Sequence, residues 1–450
     1  MIGVSFLYRI RASLFLIFLL VGSPTPLPER AESADSVRAI VVLRAPAAAG
    51  HNDSSTLPGF AQVQEHVVAA AAAAGAREVA RLRTLPIVVL EAPRAVIERL
   101  EDHPQVAYIA EDMLAVPHLT SSVALVSADL VHQESTGAGV AIAILDTGVD
   151  AAHPFFGGRV IAEACFSTNN PGDGATSLCP GGATELIGPG AAAPCSVAAC
   201  DHGTHVAGIA AGNRGVAPGA ALIAVQVFSR IANCSAFSLP SPCALGYVAD
   251  QLRALDWLAS TRFDPPLAVI NLSLGTGTFS SVAACESNPN GAALKSAIAV
   301  LRTQGIITVA SSGNNGNPQA LSLPACLSNV VSVGATTKTM PDQVASFSNS
   351  APFLTLLAPG VAITSSVPGG SFASRSGTSM AAPHVSGALA LLRSARPGYT
   401  PDAYMSALVS TGQPVTDPRN GLTKPRINVF AAVNALAPLA PRAFLPVVAR

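Results

Sequence analysis

Short apolar runs separated by longer helical stretches dominate the last three quarters of the chain. The runs are rich in Val, Ile, Leu and Ala and lie at 140–145, 221–227, 268–272, 306–310 and 330–333. Runs without polar alternation are typical of strands buried on both faces of a parallel sheet. Helical stretches at 247–260 and 291–304 lie between them. The pattern predicts a doubly wound, mostly parallel α/β domain flanked by helices, which we place at 119–436.

A smaller unit without cysteine precedes this domain, at 35–118. Its pattern predicts short strands at 39–43, 85–90 and 106–110, and helices at 62–82 and 94–100. The longer of the two predicted helices is Ala-rich with charges on one side. We therefore expect a small α+β domain, and none of its residues looks chemically reactive.

The two ends of the chain carry different signals. Arg9 and Arg11 precede an apolar run at 14–21, a pattern that favours a signal peptide at 1–34, with its cleavage point open. A single membrane anchor is the alternative. Residues 437–450 form a tail to which the pattern assigns no role. We expect a secreted, extracellular protein.

The composition of the chain mainly argues against certain classes of binding partner. Of the 450 residues half are apolar and 5% are aromatic, and the formal charge is −1 without a run of like charges. This balance gives no electrostatic reason to expect nucleic acid or an anionic membrane as a partner.

The cysteines point to an oxidising compartment. Their number is even, eight, and none precedes residue 165. With an export signal, such usage predicts disulfides, whereas a zinc site would need clustered cysteine or histidine spacing that this chain lacks. Proximity along the chain suggests the pairs Cys165 with Cys179, Cys195 with Cys200, Cys234 with Cys243, and Cys285 with Cys326.

Three motifs lie at strand ends or helix starts, where α/β domains place their sites. Asp146 ends an apolar strand before a Gly turn, His202 opens a helix of small residues, and Ser379 follows Gly377 at a loop-to-helix junction. Taken singly, Asp146 could cap a turn, His202 could be structural, and Ser379 could be an N-cap. His202 and His205 do not match the helical zinc pattern, because their spacing is wrong and no Glu accompanies them.

Together the three residues suggest nucleophilic catalysis. A hydroxyl needs a base to become nucleophilic, and the base needs a carboxylate that holds its tautomer and stabilises its charged form. The order carboxylate, imidazole, hydroxyl along the chain is the order found in subtilisin and differs from that of chymotrypsin.

The motifs also carry a family resemblance. Three long blocks resemble the signature blocks of the subtilase family (peptidase family S8): DTGVDAAHP, DHGTHVAGIAAG and GTSMAAPHVSGALALL. Two further blocks, at 270–275 and 309–314, are similar to others of that family, and the similarity covers roughly 119–436. The resemblance implies a serine endopeptidase in which Ser379 is the nucleophile, His202 the general base and then acid, and Asp146 its orienting partner.

Further roles follow from the resemblance alone. Asn314 matches the side-chain donor of the oxyanion hole. The substrate would bind as an added strand, and the matching residues are Ser273, Leu274, Gly275, Ser312 and Gly313. Because the matched walls at 273–275 and 310–313 hold no acidic residue, we expect broad, apolar-leaning specificity for protein and peptide substrates. His153, His205 and His384 match family positions with packing or hydrogen-bonding roles.

The unit at 35–118 resembles the family's propeptide, an intramolecular inhibitor and folding aid that is removed by self-cleavage. The cut is expected between residues 112 and 122. We expect a monomer that needs no cofactor.

Calcium is where the chain departs from the family pattern. Many subtilases hold a tight Ca²⁺ with an Asp shortly after the catalytic Asp and with a loop inserted in the helix of the catalytic His. Here Phe155 follows His153-Pro154. The predicted helix continues through 210–214 directly to 215–218, which leaves no room for a coordinating loop. A phenyl ring offers no oxygen to a hard cation. We predict that the tight site is absent and that disulfides take over part of its role. Weaker calcium binding, for example at 169–174, stays open.

Two rival functions belong to other classes. An inactive protein of this fold would be expected to lack a triad residue or the oxyanion donor, and all four residues are present. The related carboxyl-peptidase chemistry would place Glu where His202 stands.

Overall fold

The computed structural model describes residues 36–44, 59–82, 85–112, 120–195, 197, 199–237, 239–339 and 342–437. The chain divides into two compact units, Met1–Val116 and Pro117–Arg450. The predicted signal peptide, most of the predicted processing region and nearly all of the C-terminal tail lie outside the described residues. Within the described part of the chain, no helix is long and apolar enough to cross a membrane.

The first unit is a four-stranded antiparallel sheet with two helices. Its elements are β1 (Ser36–Leu43), α1 (Gly59–Ala73), β2 (Arg77–Arg81), β3 (Ile87–Pro93), α2 (Arg94–Glu101) and β4 (Val106–Glu111). The strand order is β2-β3-β1-β4. Alternate residues of β3, Val88 and Leu90 among them, are buried in one core with Val67 of α1 and Ile97 of α2. Period-two burial of this kind is what one covered sheet face requires.

One prediction for this unit is wrong. The helix expected at 62–82 ends at Ala73, and its second part is the strand β2. Gly75, with φ of 93°, turns the chain after the helix, a conformation that glycine adopts without steric cost. Arg77 and Arg81 then pair in register with Glu91 and Val88 of β3. The Ala-rich composition concealed this break.

The second unit holds a ten-stranded sheet between two layers of helices. Its elements are α3 (Thr120–Leu125), β5 (Ala141–Asp146), β6 (Val160–Phe166), β7 (Ala175–Ser177), β8 (Glu185–Ile187), α4 (His202–Ala211), β9 (Ala221–Gln226), β10 (Ser229–Ile231), β11 (Cys243–Leu245), α5 (Val248–Ser260), β12 (Leu267–Leu272), β13 (Thr276–Phe279), α6 (Val282–Ser287), α7 (Pro289–Thr303), β14 (Ile307–Ser311), β15 (Leu321–Leu323), β16 (Val331–Thr336), β17 (Leu356–Pro359), β18 (Ile363–Val367), β19 (Ser371–Arg375), α8 (Thr378–Ala395), α9 (Pro401–Thr411), β20 (Gln413–Thr416), β21 (Thr423–Arg426) and α10 (Val429–Ala435).

The large sheet confirms the doubly wound α/β prediction. Its strand order is β20-β21-β17-β16-β14-β12-β5-β9-β6-β8, parallel except for β20 and β8 at the two edges. The five predicted apolar runs are β5, β9, β12, β14 and β16. In β5, Ile142 and Ile144 face a core shared with α4 and α8, whereas Ala143 and Leu145 face a second core shared with α5 and α7. Every residue of β5 is buried, as burial on both faces requires.

The sheet topology brings three chain segments to one edge. Strands β5, β12 and β14 are neighbours and run parallel. Because the carboxyl ends of parallel strands meet at the same edge, the segments after Leu145, Leu272 and Ser311 lie side by side. Helices α4 and α8, which pack on one face, begin at the same edge.

The structure forms four disulfides, all in the second unit. They are Cys165–Cys179, Cys195–Cys200, Cys234–Cys243 and Cys285–Cys326, the pairs that proximity suggests, with Cα–Cα distances of 5.6, 5.1, 6.2 and 6.0 Å. The first three join residues 14, 5 and 9 positions apart, and the fourth joins residues 41 positions apart, from α6 to the turn after β15.

The spans predict unequal contributions to stability. Loop-closure entropy gives about 4 kcal/mol for the longest loop and about 2 kcal/mol for the shortest. We expect Cys285→Ala/Cys326→Ala to lower the free energy of unfolding more than Cys195→Ala/Cys200→Ala. Denaturant unfolding of active-site-blocked protein measures both. Equal losses, or a larger loss for the short loop, would contradict this ranking.

Candidate active site

The site begins with a buried carboxylate at the end of the central strand β5. Asp146 is fully buried. Its Oδ1 accepts a hydrogen bond from the Thr147 backbone N–H at 2.8 Å and another from His202 Nδ1 at 2.7 Å. A carboxylate held in this way fixes the orientation and tautomer of the imidazole.

His202 is the first residue of α4, and its side chain is 22% exposed. The next residue lets the helix approach β5 closely: a Cβ at Gly203 would lie 2.2 Å from Gly148 O. Burial disfavours the charged imidazole, but the charge and hydrogen bond of Asp146 outweigh it, so the pKa of His202 rises above 6.5. With Nδ1 committed to Asp146, Nε2 is the nitrogen available to the cavity that His202 lines.

Ser379 is the second residue of α8, after the loop that ends at Gly377. In this structure its Oγ donates to Ser273 O at 3.2 Å, and its own carbonyl accepts from Ser273 Oγ at 2.8 Å. First-turn N–H groups of a helix have no intrahelical acceptor, so the Ser379 N–H is a donor at the positive end of α8.

Asn314 lies across from Ser379 with its amide fixed in one orientation. Its Oδ1 accepts from the Thr378 backbone N–H at 2.8 Å and from Thr378 Oγ1 at 2.9 Å. The amide Nδ2 is therefore left to donate elsewhere. The preceding Gly313 has φ of 109°, and a Cβ there would lie 2.3 Å from Asn349 Nδ2. Glycine is what lets the chain turn so tightly at this point.

These side chains share one cleft of about 730 Å³. His202, Asn314 and Ser379 line it, and Asp146 lies behind His202. One wall is 273–278, which includes the predicted Ser273, Leu274 and Gly275. Gly313 also lines the cleft. The arrangement combines an oriented base, a hydroxyl and two N–H donors around one space.

Ser312 is the one predicted substrate-binding residue that the structure places elsewhere. It is fully buried, and its Oγ donates to Asn349 O at 3.0 Å. Its N–H donates to Val333 O at 2.9 Å, in the direction of the sheet. The Ser312 side chain therefore does not face the cleft, and its part in substrate binding stays a prediction.

The opposite wall of the cleft is one that the sequence motifs did not indicate. It is formed around β11 and the loop that precedes it, and its lining residues are Phe228, Phe237, Leu239, Ala244, Leu245, Gly246 and Gln251. The Cys234–Cys243 disulfide closes this loop. Phe237 and Leu239 between two cysteines are a signal in the sequence, because apolar side chains grouped at an exposed surface can mark a ligand-binding groove.

Comparison with known proteins agrees with this geometry. The family model described as the subtilase family (peptidase S8) matches residues 137–426. The chain is 32% identical over 328 residues to Subtilisin E of Bacillus subtilis (strain 168), covering 70% of this chain and 72% of that protein. The chain belongs to the subtilase family. It is a serine-type endopeptidase.

Other relatives have similar coverage. The subtilase is 33% identical over 327 residues to Alkaline protease of Shouchella clausii, covering 70% of this chain and 71% of the relative. It is 32% identical over 357 residues to Extracellular serine proteinase of Thermus sp. (strain Rt41A), covering 76% and 75%.

Three further histidines of the subtilase are buried and hydrogen-bonded. His153 Nε2 contacts Ser371 O at 3.1 Å, and His205 Nε2 contacts Ile363 O and Ala373 O at 3.1 and 3.0 Å. His384 Nδ1 contacts Met380 O at 2.8 Å. Burial lowers the pKa of both His205 and His384 to about 4. Both are therefore neutral near pH 7, which suits packing and hydrogen bonding.

The residues beside α4 bear on the prediction that the tight calcium site of many subtilases is absent here. Phe155 is buried against Gly212, the residue that follows α4. The Arg159 guanidinium donates to Ala211 O at 2.6 Å, Ala220 O at 2.8 Å and Asn213 Oδ1 at 3.0 Å. These three oxygens are of the kind that coordinates a hard cation such as Ca²⁺, and here they accept hydrogen bonds from the guanidinium. Among the described residues, no group of three or more His, Cys, Asp or Glu side chains is placed to hold a metal ion.

We therefore propose that Arg159, rather than calcium, ties the end of α4 to the sheet. Arg159→Met should lower the free energy of unfolding by about 2–4 kcal/mol, because hydrogen bonds to a charged group are lost. Arg302→Met, which removes one surface ion pair with Asp402, should cost less than about 1 kcal/mol.

A chelator should leave the thermal midpoint of the active-site-blocked enzyme nearly unchanged. A drop beyond about 10 °C would reveal a tightly bound ion.

Proposed function

We propose that this subtilase is a secreted endopeptidase that hydrolyses proteins through an acyl-enzyme on Ser379. The observation that carries the proposal is the Asp146–His202 hydrogen bond at the back of a cleft that Ser379 and Asn314 also line. The predicted signal peptide and the extracellular relative from Thermus support secretion.

In the acylation step, Ser379 Oγ attacks the scissile carbonyl carbon while His202 Nε2 takes the hydroxyl proton. Asp146 stabilises the resulting imidazolium. The carbonyl oxygen becomes an oxyanion, and the donors available to it are Asn314 Nδ2 and the Ser379 backbone N–H. His202 then gives its proton to the departing amine as the C–N bond breaks. In the second half of the cycle, His202 takes a proton from water as the water oxygen attacks the ester carbon. It then gives this proton to Ser379 Oγ as the ester C–O bond breaks and the acid product leaves.

The Ser379 hydroxyl bonds to Ser273 O before substrate binds. Catalytic hydrogen bonds are often long or misaligned in free enzymes and tighten with substrate present. Thr378 has a supporting role in this scheme, because its two hydrogen bonds leave the Asn314 amide nitrogen as the donor. Loss of such a donor lowers turnover about 10²–10³-fold, a magnitude established in a subtilisin and carried over here.

The unit at 35–118 acts, in this proposal, as an inhibitory propeptide that the enzyme removes itself. Its place ahead of the catalytic domain in the same chain supports this role. The mature enzyme is proposed to be a monomer that needs no cofactor.

Labelling by a fluorophosphonate tests the nucleophile. The full-length wild-type chain should mature and label at Ser379, whereas Ser379→Ala should accumulate unprocessed precursor and remain unlabelled. Ser371→Ala, at an exposed serine of β19, is the matched control and should label normally. Normal processing of Ser379→Ala in a purified refolding reaction would refute self-cleavage. Failure of the wild type to label would refute the catalytic assignment.

We also propose that the substrate lies as a strand between 273–275 and β11. Strand β11 pairs with β10 on one side only, and Ala244 and Leu245 line the cleft. A free strand edge can pair with an extended peptide through backbone hydrogen bonds. The side chains above this edge are apolar, and the wall residues named above include no carboxylate. The proposed specificity is therefore broad and apolar-leaning.

Phe237 offers a direct test of that specificity. It is 62% exposed and lines the mouth of the cleft. Phe237→Ser should lower kcat/KM about 10-fold for peptides with large apolar residues on the acyl side, because one lost apolar contact is worth about 1–3 kcal/mol. Phe372→Ser is the control, since Phe372 is 50% exposed but does not line the cleft. A dominant preference for Arg or Lys in a peptide library would contradict the proposal.

A further inference from the structure

An ion pair beside His202 lies outside the catalytic residues described above. Asp201 immediately precedes His202, and Arg375 is the last residue of β19, four residues before Ser379. Arg375 Nη2 donates to Asp201 Oδ2. The pair therefore joins the start of the helix that carries the base to the segment that leads to the nucleophile. Neither side chain lines the cleft.

Stability is a weak explanation for this pair. The Asp201 and Arg375 side chains are 30% and 37% exposed, and ion pairs this exposed contribute about 0–1 kcal/mol. Other bonds already hold the hairpin β18–β19 to α4: His205 bonds to Ile363 O and Ala373 O, and Ser366 Oγ donates to Thr204 O. Within the described chain, Asp201 Oδ1 and Arg375 Nε are buried atoms without a hydrogen-bond partner. A single bond joins the two groups.

We propose that Asp201 and Arg375 are positioning residues that act on His202 as a charge-compensated pair, in which each charge opposes the shift that the other would cause in the lower pH limit of activity. The proposal deepens the proposed function, because it rests on His202 being the base. Asp201 favours the protonated imidazole and Arg375 disfavours it, so the two charges oppose each other. Because their effects largely cancel, Asp146 remains the charge with the largest effect on the pKa of His202.

The surroundings of His202 contain few other charges that could have this effect. Asp146 at the end of β5 raises the pKa of His202, as does Asp201 more weakly, and Arg375 lowers it. On the elements packed against α4, strands β9 and β18 carry no ionisable side chain. His205 of α4 and His384 of α8 are neutral, since burial lowers their pKa values to about 4. Asp150 and His153, in the turn packed against α4, and Arg393 of α8 are the remaining ionisable groups on these elements. After Asp146, Arg375 and Asp201 are the charges that act most strongly on the pKa of His202. Their removal should therefore move the titration of His202 without breaking its bond to Asp146.

The test neutralises each partner in turn. Arg375→Gln removes the opposing cation, so the pKa of His202 should rise and the acid limb of kcat/KM should move to higher pH. Asp201→Asn removes an anion, so the limb should move to lower pH. The Asp201 side chain makes no cap hydrogen bond to α4, so this substitution removes no cap from the helix. The double variant should return close to the wild-type limb, and 1 M salt should shrink both single shifts.

Arg375→Lys and Arg302→Gln are the controls. The first keeps the charge and should restore the wild-type limb. The second makes the same charge change at the distant Asp402 pair and should not move the limb. If the pair were only a structural clamp, both single variants would lose kcat with the limb unmoved or moved in the same direction. Either result overturns the proposal.

An NMR titration separates this proposal from the catalytic assignment. The pH dependence of the His202 resonance is followed in histidine-labelled full-length chain carrying Ser379→Ala, which needs no turnover and is expected to stay unprocessed in every background, so that midpoints are compared among precursors only. Opposite shifts of the His202 midpoint in the Arg375→Gln and Asp201→Asn backgrounds support the electrostatic role, even if the wild type failed to label with a fluorophosphonate. Unchanged midpoints in both backgrounds would overturn it while leaving the labelling result intact.

Discussion

The close packing of α4 and α8 against each other and against the sheet is the constraint on which the site depends. A Cβ at Gly387 of α8 would lie 2.6 Å from Val216 Cβ and 2.8 Å from Ala210 O, and one at Gly208 of α4 would lie 2.3 Å from Ser366 Oγ. Interiors packed to this density transmit even small displacements. The starts of the two helices are therefore fixed relative to the ends of β5 and β12. His202 and Ser379 lie at those starts, so their placement follows from how closely the helix axes approach.

Much of the fold was predictable because the central strands are buried on both faces. Strand β5 has no polar residue before Asp146, and no helix-length apolar pattern competes with it. The strands that were not predicted form through hydrogen-bonded pairing with neighbouring strands, and their sequences are not continuous apolar runs. Glu163 interrupts β6, and its carboxylate accepts from the N–H groups of Gly190 and Ala192. At the other edge, the β20–β21 hairpin contains Pro, Thr and Lys and is held by its register with β17. Tertiary context decides such segments.

The candidate site likewise contains residues that motifs predict and residues whose position depends on tertiary pairing. Asp146, His202, Asn314 and Ser379 were predictable because each lies in a long motif at a strand end or helix start. The second wall of the cleft was not, since it consists of a loop whose position depends on the pairing of β10 with both β7 and β11. Ser312 shows that a motif does not predict the direction of a side chain. A motif gives the neighbourhood of a residue, but hydrogen bonds to Val333 and Asn349 decide that its side chain faces inward.

The short spans of the disulfides bear on how the chain reaches its topology. Three of the cross-links join residues 14 or fewer positions apart and the fourth joins residues 41 positions apart. The sheet joins segments farther apart in sequence: Ala141 of β5 pairs with Ala221 of β9 and with Leu267 of β12. Oxidation therefore narrows the conformations of separate stretches of the chain, and no cross-link joins β5 to β9 or β12, its neighbours in the sheet. Folding of such non-local topologies is slow, because chain closure must precede the contacts that reward it. We therefore expect assembly of the parallel strands, rather than oxidation, to limit the folding rate of the catalytic domain.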